Sequence, residues 1–257
     1  MHNAFLQAAI KAAQLSKSIH QYYSKIGFTT SSKSAICDVV TTADQEAEKA
    51  IKKSLFETFP KHGFLGEETG EEEKRSDYRW VIDPLDGTLN FSRGFPFYCT
   101  SIALEHMGKV IVGVVLDSNL DELFFAVEDQ GAYLNGKQLH VSNVKQLDSI
   151  LISTGFSPRL EDFKKNIGYA NAVLNKGLAI RRAGSAALDL AYVAAGRQDA
   201  FWELFLKPWD VAAGSLLVKE AGGMITTLEN KEHHLISPSI VGSNGHIHND
   251  LLKLFGF

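Results

Sequence analysis

The chain has few cysteines and no excess of charge of either sign, and each shortage excludes a class of protein. Its 257 residues include two cysteines, Cys37 and Cys99, which are far apart and form no Cys-x-x-Cys pair. This pattern predicts neither a disulfide framework nor a cysteine-ligated zinc site. We therefore expect a reducing compartment, of which the cytoplasm is the simplest choice.

Basic surface and long apolar runs are also missing. Lys and Arg number 26 against 30 Asp and Glu, a formal net charge of -4, so the sequence shows no footprint for nucleic acid. No apolar run approaches the roughly 20 residues that span a bilayer. The N-terminal residues 1–15 lack the charged and apolar regions of a secretion signal. We expect neither a membrane nor a nucleic-acid partner.

The sequence does contain alternating helix and strand patterns, with 45% hydrophobic residues to bury. Apolar periodicity predicts helices over 3–25, 42–59, 160–174, 185–195, 211–221 and 247–254. It predicts strands over 78–82, 99–105, 109–116, 122–127, 132–134, 149–153, 178–181, 200–204, 224–227 and 239–242. This order indicates a mixed α/β fold in layers. No linker interrupts it, so we expect one unit over 1–257, with sub-regions of about 1–148 and 149–257.

The segment 80–91 concentrates acidic and turn residues in the run DPLDGT. An apolar strand is predicted to end just before Asp83, and Asp86 comes three residues later. Gly87 allows a sharp turn, and Asp86 is a residue type that caps helices, which would present the N–H groups of Gly87 and Thr88 to an anion. The competing interpretation is that both aspartates are ordinary turn and cap residues.

Two distant acidic residues complete a possible cluster. Glu67 follows a short apolar patch and a glycine, and Asp210 lies at the start of an apolar helix. Taken alone, the first predicts a solvated acidic loop, because acids follow at 71–73, and the second predicts a helix cap. If both converge with Asp83 and Asp86, their mutual repulsion would require cations. Ligands that are all oxygen favour Mg²⁺.

These motifs resemble those of the inositol monophosphatase family, within the lithium-sensitive, magnesium-dependent phosphatases. The signatures GEE at 66–68, DPLDGT at 83–88 and WDVAAG at 209–214 stand in the family's order and at family-like separations. The resemblance covers nearly the whole chain. It implies a layered αβαβα sandwich of the inositol monophosphatase and fructose-bisphosphatase type, usually a homodimer. It also implies hydrolysis of a phosphomonoester, with inositol monophosphate the leading substrate, by in-line attack of a metal-activated water.

The resemblance further implies roles for single residues. Two to three Mg²⁺ ions would be held by Glu67, Asp83, the Leu85 carbonyl, Asp86 and Asp210. Catalytic roles would fall to Glu67, to Thr88, which helps to activate the water, and to Asp44, which is paired with Thr88. Substrate contacts would come from Gly87, Thr88, Gly184, Ser185, Ala186, Glu203 and Asp210. Lys33 matches a lysine of a loop near the family's active site.

Alternatives to inositol monophosphate stay open. Leu89 stands where the family commonly has threonine, which loosens the substrate assignment, although Asn90-Phe91 favours the inositol branch. Fructose 1,6-bisphosphate and NADP or other nucleotides are alternative substrates. A binding or regulatory protein that keeps the fold, with secondary catalysis, is the alternative from another functional class.

Some conspicuous polar residues are assigned no role. His233-His234 and the pair His246 and His248 have no further metal ligands in view, so we expect solvated or capping side chains. The arginines at 181–182 are expected at an exposed strand end. The acids and lysine at 71–74 are expected in a solvated loop.

Overall fold

The computed structural model describes residues 2–32, 39–72, 76–157 and 160–257; Lys33 and Cys37 lie outside these ranges. The helices are α1 (His2–Ile26), α2 (Thr42–Thr58), α3 (Thr88–Ser92), α4 (Leu160–Asn175), α5 (Ala186–Ala194), α6 (Pro208–Glu220) and α7 (His248–Phe255). The strands are β1 (Thr30–Ser32), β2 (Val39–Thr41), β3 (Gly63–Gly66), β4 (Gly70–Glu72), β5 (Tyr78–Asp86), β6 (Cys99–His106), β7 (Lys109–Asp117), β8 (Glu122–Val127), β9 (Ala132–Leu134), β10 (Lys137–Gln138), β11 (Leu151–Thr154), β12 (Ala179–Arg181), β13 (Ala200–Leu204), β14 (Met224–Thr226) and β15 (Ser239–Ser243). Within these ranges, no helix has both the length and the apolar character needed to cross a membrane.

The first sheet carries two of the predicted acidic residues, Asp83 and Asp86, on β5. Its strand order is β10-β9-β8-β7-β6-β5-β3-β4, and its strands pair antiparallel except where β3 runs parallel to β5. Successive β5 side chains point to opposite faces. Trp80 and Ile82 pack in the cluster shared with α1 and α2, whereas Val81 packs with α5 and α6.

The second sheet has the strand order β12-β11-β13-β15-β14. Its inner face, with Phe201, Ile225 and Ile240, belongs to the same core cluster as α5 and α6. Its outer face, with Trp202 and Val241, packs against α4 and α7. The layers therefore run α1/α2, sheet, α5/α6, sheet, α4/α7, which confirms the αβαβα sandwich. The division into sub-regions near residue 150 stays a prediction.

Several boundaries differ from the sequence prediction. Strand β5 does not stop at Ile82 but continues to Asp86, with a shift of register against β6 between Asp83 and Asp86. Glu71 lies not in a loop but in β4, opposite Leu65 of β3. Helix α6 begins at Pro208 rather than residue 211, because proline suits the first helical position. A strand as short as β4 lacks a periodic signal long enough to detect in the sequence.

Two hairpins join neighbouring strands of the first sheet, β6 with β7 and β9 with β10. The turn between β6 and β7 contains Met107 and Gly108, and the turn between β9 and β10 contains Asn135 and Gly136; all four residues have positive φ. Asn-Gly is the pair best suited to such a turn. Each turn sets the register of the two strands that it joins.

Candidate active site

The pairing of β5 with β6 is broken between Asp83 and Asp86, whose partners on β6 are Ser101 and Cys99. Asp83 is 2% exposed, and its Oδ1 accepts a hydrogen bond from the Leu85 N–H at 3.0 Å. A break in pairing at this point re-aims side chains, as bulges beside functional sites commonly do. Both carboxyl groups can therefore face the same side of the sheet edge.

Asp86 caps a helix, but not the one that follows it in sequence. Its Oδ2 accepts from the Ser185 hydroxyl at 2.7 Å and from the Ala187 N–H at 2.8 Å, at the N-terminus of α5. The cap of α3 is instead Gly87, which has φ 95° and makes no side-chain cap bond. Ser185 caps α5, its hydroxyl accepting from the Leu188 N–H. The Asp86 side chain thus links the end of β5, in the first sheet, to the N-terminus of α5.

Gly87 is required by its surroundings as well as by its positive φ. A Cβ at this position would lie 2.9 Å from the Phe97 carbonyl oxygen and 3.0 Å from Cβ of Tyr98. Any side chain would force this turn apart. The backbone of the turn can consequently approach a ligand closely, which glycine alone permits.

Glu67 lies beside Asp83. It follows β3 directly, and its N–H donates to the Ile82 carbonyl at 3.1 Å, so the parallel pairing of β3 and β5 sets it next to the end of β5. The carboxyl groups of Glu67 and Asp83 are hydrogen-bonded to each other. Two carboxyl groups in such contact share a proton or need a cation between them. The solvated-loop interpretation of Glu67 is therefore wrong.

Asp210 reaches the same place from α6. It is the third residue of that helix, and its Oδ2 accepts from the Lys207 N–H at 2.7 Å. The start of α6 is held against the first sheet because the Ser101 hydroxyl donates to the Trp209 carbonyl at 3.1 Å. Ser101 is the β6 partner of Asp83. This contact sets Asp210 close to the β5 acids.

The electrostatics show how close these acids are. Burial, followed by the charges of Glu67, Asp86 and Asp210, raises the pKa of Asp83 well above its usual range. Burial and the charges of Asp86 and Glu67 raise the pKa of Asp210 in the same way. Burial raises the pKa of Asp86 to about 6, against the opposing hydrogen bonds from Ser185 and Ala187. The four acids predicted from separate motifs therefore converge.

Asp44 and Thr88 form a pair at the edge of this cluster. The Thr88 hydroxyl lies 2.8 Å from Oδ1 of Asp44 and 2.9 Å from the Leu85 carbonyl oxygen. Asp44 also accepts from the Thr41 N–H and hydroxyl, and so caps α2. Burial raises the pKa of Asp44 to about 6, although these hydrogen bonds oppose the shift.

The second sheet supplies the other wall. A cleft of about 140 Å³ is lined by Asp86, Gly155, Arg182, Gly184, Ser185, Ala186, Asp189, Glu203, Leu206 and Asp210. Glu203 is buried, and burial, then Asp210 and Asp189, raise its pKa well above the usual range. It is the penultimate residue of β13, close to the predicted strand end. All the predicted substrate residues of the second half thus line one cleft.

Four lining residues were not predicted as site residues from sequence: Gly155, Arg182, Asp189 and Leu206. Gly155 leaves space for Glu203, since a Cβ there would lie 2.1 Å from its Oε2. Asp189 is buried, which raises its pKa to about 8. Arg182 is exposed as predicted, but it also lines the cleft, and its charge lowers the pKa of Glu203 and Asp189 against the effect of burial. Single residues of common types at these positions carry no motif that could have marked them.

These histidines lie elsewhere, with two differences from expectation. His246 and His234 are exposed, but His248 is fully buried and hydrogen-bonded to the Thr226 and Ser243 hydroxyls, so the prediction of a solvated or capping side chain is wrong for it. His233 is also buried, so the prediction of a solvated side chain is wrong for it too; it lines a larger cavity of about 460 Å³ that contains no predicted site residue.

The donor set suits a hard divalent cation. In the described ranges, no three His, Cys, Asp or Glu side chains are already gathered tightly enough to hold a metal ion. The acids nevertheless offer only oxygen, and their charges raise the pKa of Asp83 and Asp210. A cation among them would relieve that repulsion, and oxygen ligands favour Mg²⁺ over Zn²⁺.

Comparison with known proteins identifies the family to which the chain belongs. The profile of the inositol monophosphatase family matches residues 2–256. The inositol-1-monophosphatase of Rhizobium meliloti (strain 1021) is 43% identical over 95% of this chain and 92% of its own length. The Nus factor SuhB of Escherichia coli (strain K12) is 41% identical over 95% and 91%. The crystal structure of the extragenic suppressor protein SuhB from Bartonella henselae superposes with a TM-score of 0.93, at 38% identity over 98% of both chains. The chain therefore belongs to the inositol monophosphatase family.

Proposed function

We propose that this protein is a Mg²⁺-dependent phosphomonoesterase that hydrolyses inositol monophosphate to inositol and phosphate. The observation that supports the proposal most directly is the convergence of four acids, of which Asp83 is buried and the others are half-buried, beside the Asp44–Thr88 pair. A carboxylate cluster of this kind repels a phosphate dianion unless cations are present. Phosphate binding at this site consequently requires that cations bind there as well.

Two to three ions would be held by the converging acids. Glu67, Asp83 and the Leu85 carbonyl would hold the first ion, and Asp83 with Asp86 and Asp210 would hold the second; a weaker third ion would lie near Glu67. When bound, Mg²⁺ neutralises charge on the phosphate and lowers the pKa of water in contact with it. The hydrogen bonds from Ser185 and Ala187 keep Asp86 directed at the cleft.

Asp44 and Thr88 would take the proton of the attacking water. A hydroxyl has one hydrogen, so when Thr88 donates it to Asp44 its lone pairs can accept from a water. A proton from that water can then pass through the Thr88 oxygen to Asp44. With a pKa of about 6, Asp44 is a far stronger base than an ordinary aspartate and is still ionised at neutral pH.

The second wall would hold the substrate. The backbone N–H groups of Gly87 and Thr88 would contact the phosphate. Gly184, Ser185, Ala186, Glu203 and Asp210 would contact the hydroxyls of the polyol. A carboxylate such as Glu203 accepts strong hydrogen bonds from neighbouring hydroxyls, and it lines the cleft.

A phosphate-release panel tests the substrate. Inositol 1-phosphate, fructose 1,6-bisphosphate and NADP are compared with Mg²⁺ and with EDTA, for the native protein and for Asp83→Asn. We expect Mg²⁺-dependent release, fastest from inositol 1-phosphate, and its loss in Asp83→Asn. Faster phosphate release from fructose 1,6-bisphosphate or NADP would make that compound the preferred substrate. Equal, slow release by both proteins would contradict an enzymatic role.

A binding role is the second candidate, favoured by one observation. Relatives that are 41% identical over 95% of this chain carry the name Nus factor SuhB, so the same fold is associated with a name that is not that of a phosphatase. The panel separates the two, because a binding protein does not need metal-dependent turnover. We further propose that the protein is a cytoplasmic homodimer; light scattering of the purified protein tests the dimer.

A further inference from the structure

Glu48 is a buried carboxylate that takes no part in the acidic cluster. It lies on α2 and is 0% exposed. Its Oε2 accepts from the Glu68 N–H at 2.8 Å, and its Oε1 accepts from the Thr69 N–H at 3.0 Å and from the Thr69 hydroxyl. A fully buried carboxylate persists only when its oxygens are satisfied in this way. All three donors belong to the two residues directly after Glu67.

The direction of these bonds is determined by a lysine. The Lys52 ammonium donates to the Thr69 hydroxyl oxygen at 2.8 Å and also pairs with Glu72. Because an ammonium only donates, the Thr69 hydroxyl must give its single hydrogen to Glu48. Glu48 therefore acts as the acceptor for every donor around it, which an amide could not do.

Gly66 is shaped to the same carboxylate. A Cβ at residue 66 would lie 2.4 Å from Oε1 of Glu48 and 2.8 Å from its Oε2. Gly66 does not have a positive φ, so space rather than backbone angle excludes a side chain here. The residue before Glu67 thus makes room for the group that holds the two residues after it.

We infer that Glu48 is a positioning residue that sets the location of Glu67 for cation binding. The N–H of Glu67 is tied to the Ile82 carbonyl of β5, and the peptide beyond it is tied to α2 by Glu48. These two attachments direct the Glu67 carboxyl toward Asp83. The inference rests on the proposed role of Glu67 as a metal ligand. Partners that orient a ligand typically change metal affinity by about 10- to 100-fold.

The test measures binding of Mn²⁺ alone, without a phosphomonoester, by calorimetry. Glu48→Gln keeps the shape but turns an NH₂ group toward a backbone N–H. We expect it to weaken Mn²⁺ binding about tenfold. The same change made in Glu67→Gln protein should have little further effect, because Glu48 acts through Glu67. A residue that only stabilises the fold would not show this dependence on Glu67.

Asp199→Asn is the matched control. Asp199 is also buried, and it accepts from the Leu151 N–H at 2.7 Å and from the Ser142 hydroxyl, at the end of β13 away from Glu203. The Asp199→Asn protein should be less stable than the native protein but should bind Mn²⁺ with the same affinity. If Glu48→Gln does not fold, Thr69→Ala removes one donor and should weaken binding in the same Glu67-dependent way.

The outcomes separate this inference from the proposed function. The positioning role is overturned if Mn²⁺ binding depends on Glu67 but not on Glu48. It is also overturned if Glu48→Gln weakens Mn²⁺ binding equally in the native and in the Glu67→Gln protein. Both outcomes leave the phosphatase proposal intact. Native binding that is independent of Glu67 overturns both.

Discussion

The Thr88 hydroxyl lies 2.8 Å from the Asp44 carboxylate, although 44 residues separate them in sequence. Asp44 is buried in the first turn of α2, and Thr88 is the first residue of α3. The contact therefore joins the outer helical layer to the turn that follows β5. It sets a base with a raised pKa behind a hydroxyl that faces the acidic cluster.

Removing the Thr88 hydroxyl should reduce turnover. Thr88→Val keeps the branched shape but cannot relay a proton, so we expect kcat to fall by about a hundredfold or more, whereas Thr88→Ser should retain most of it. Steady-state kinetics on inositol 1-phosphate measure both. Thr42→Val is the control, because the Thr42 hydroxyl has no hydrogen-bond partner among the residues that the structure describes. Equal activity of Thr88→Val and Thr88→Ser would refute the relay.

Neutralising Asp83 should stabilise the metal-free protein. Asn at this position can still accept from the Leu85 N–H, and its NH₂ can donate to Glu67, while its charge no longer repels the other acids. We expect the Tm of Asp83→Asn to rise by a few degrees in EDTA. Conversely, the stabilisation that Mg²⁺ gives the native protein should shrink. Thermal unfolding in EDTA and in MgCl₂ measures both; a lower Tm in EDTA would contradict the crowding of these acids.

Filling the space at Gly155 should impair recognition of the polyol. Gly155→Ala would push the Glu203 carboxylate from its place, so we expect KM for inositol 1-phosphate to rise about tenfold. Hydrolysis of 4-nitrophenyl phosphate, which lacks the polyol hydroxyls, should change little. Gly168→Ala is the matched control, since a Cβ there meets nothing within 4 Å. Parallel losses on both substrates would place Glu203 outside substrate recognition.

His20 should contribute a loss of stability in mild acid, opposite in sign to the acids with raised pKa values, whose contribution grows as the pH falls. This side chain is fully buried between the Ser16 and Ser118 hydroxyls, and burial lowers its pKa to about 4. Because the unfolded chain protonates this histidine near pH 6.5, before the folded chain does, the His20 contribution to stability falls as the pH drops from about 6.5 toward 4. For His20 the loss between pH 7 and 5 is about 2 kcal/mol.

Denaturant unfolding at pH 7 and pH 5 tests this dependence. His20→Gln should raise the stability at pH 5, relative to that at pH 7, by about 2 kcal/mol, even if it lowers stability at both. His246→Gln, at an exposed position, should leave the difference between the two pH values unchanged. An unaltered difference in His20→Gln would contradict this contribution of His20.

Local patterns predicted the long elements well. Helix α1 shows apolar residues at helical spacing along its length, and the Asn135-Gly136 turn carries its own backbone requirement. Such signals depend on neighbours in sequence, so they can be recognised without the fold. The motif residues Glu67, Asp83, Asp86 and Asp210 could also be identified, although their convergence was implied only by the family resemblance.

Contacts between distant segments could not be predicted in this way. Asp86 was expected to cap the next helix, but it caps α5, whose first residue lies 100 positions later. Glu48 and Gly155 have residue types that occur on any surface or in any loop. Their importance arises from what lies opposite them in space, which sequence spacing does not contain.

The position of Asp210 at the start of α6 has a consequence for the order in which the molecule assembles. During synthesis, residues 63–138 can complete the first sheet while α6 is still to be made. A cation that requires Asp210 together with Asp83 can bind only after α6 has docked between the sheets. Its binding energy would then favour the last stage of folding, and a nascent chain or a truncated fragment would compete poorly for the ion.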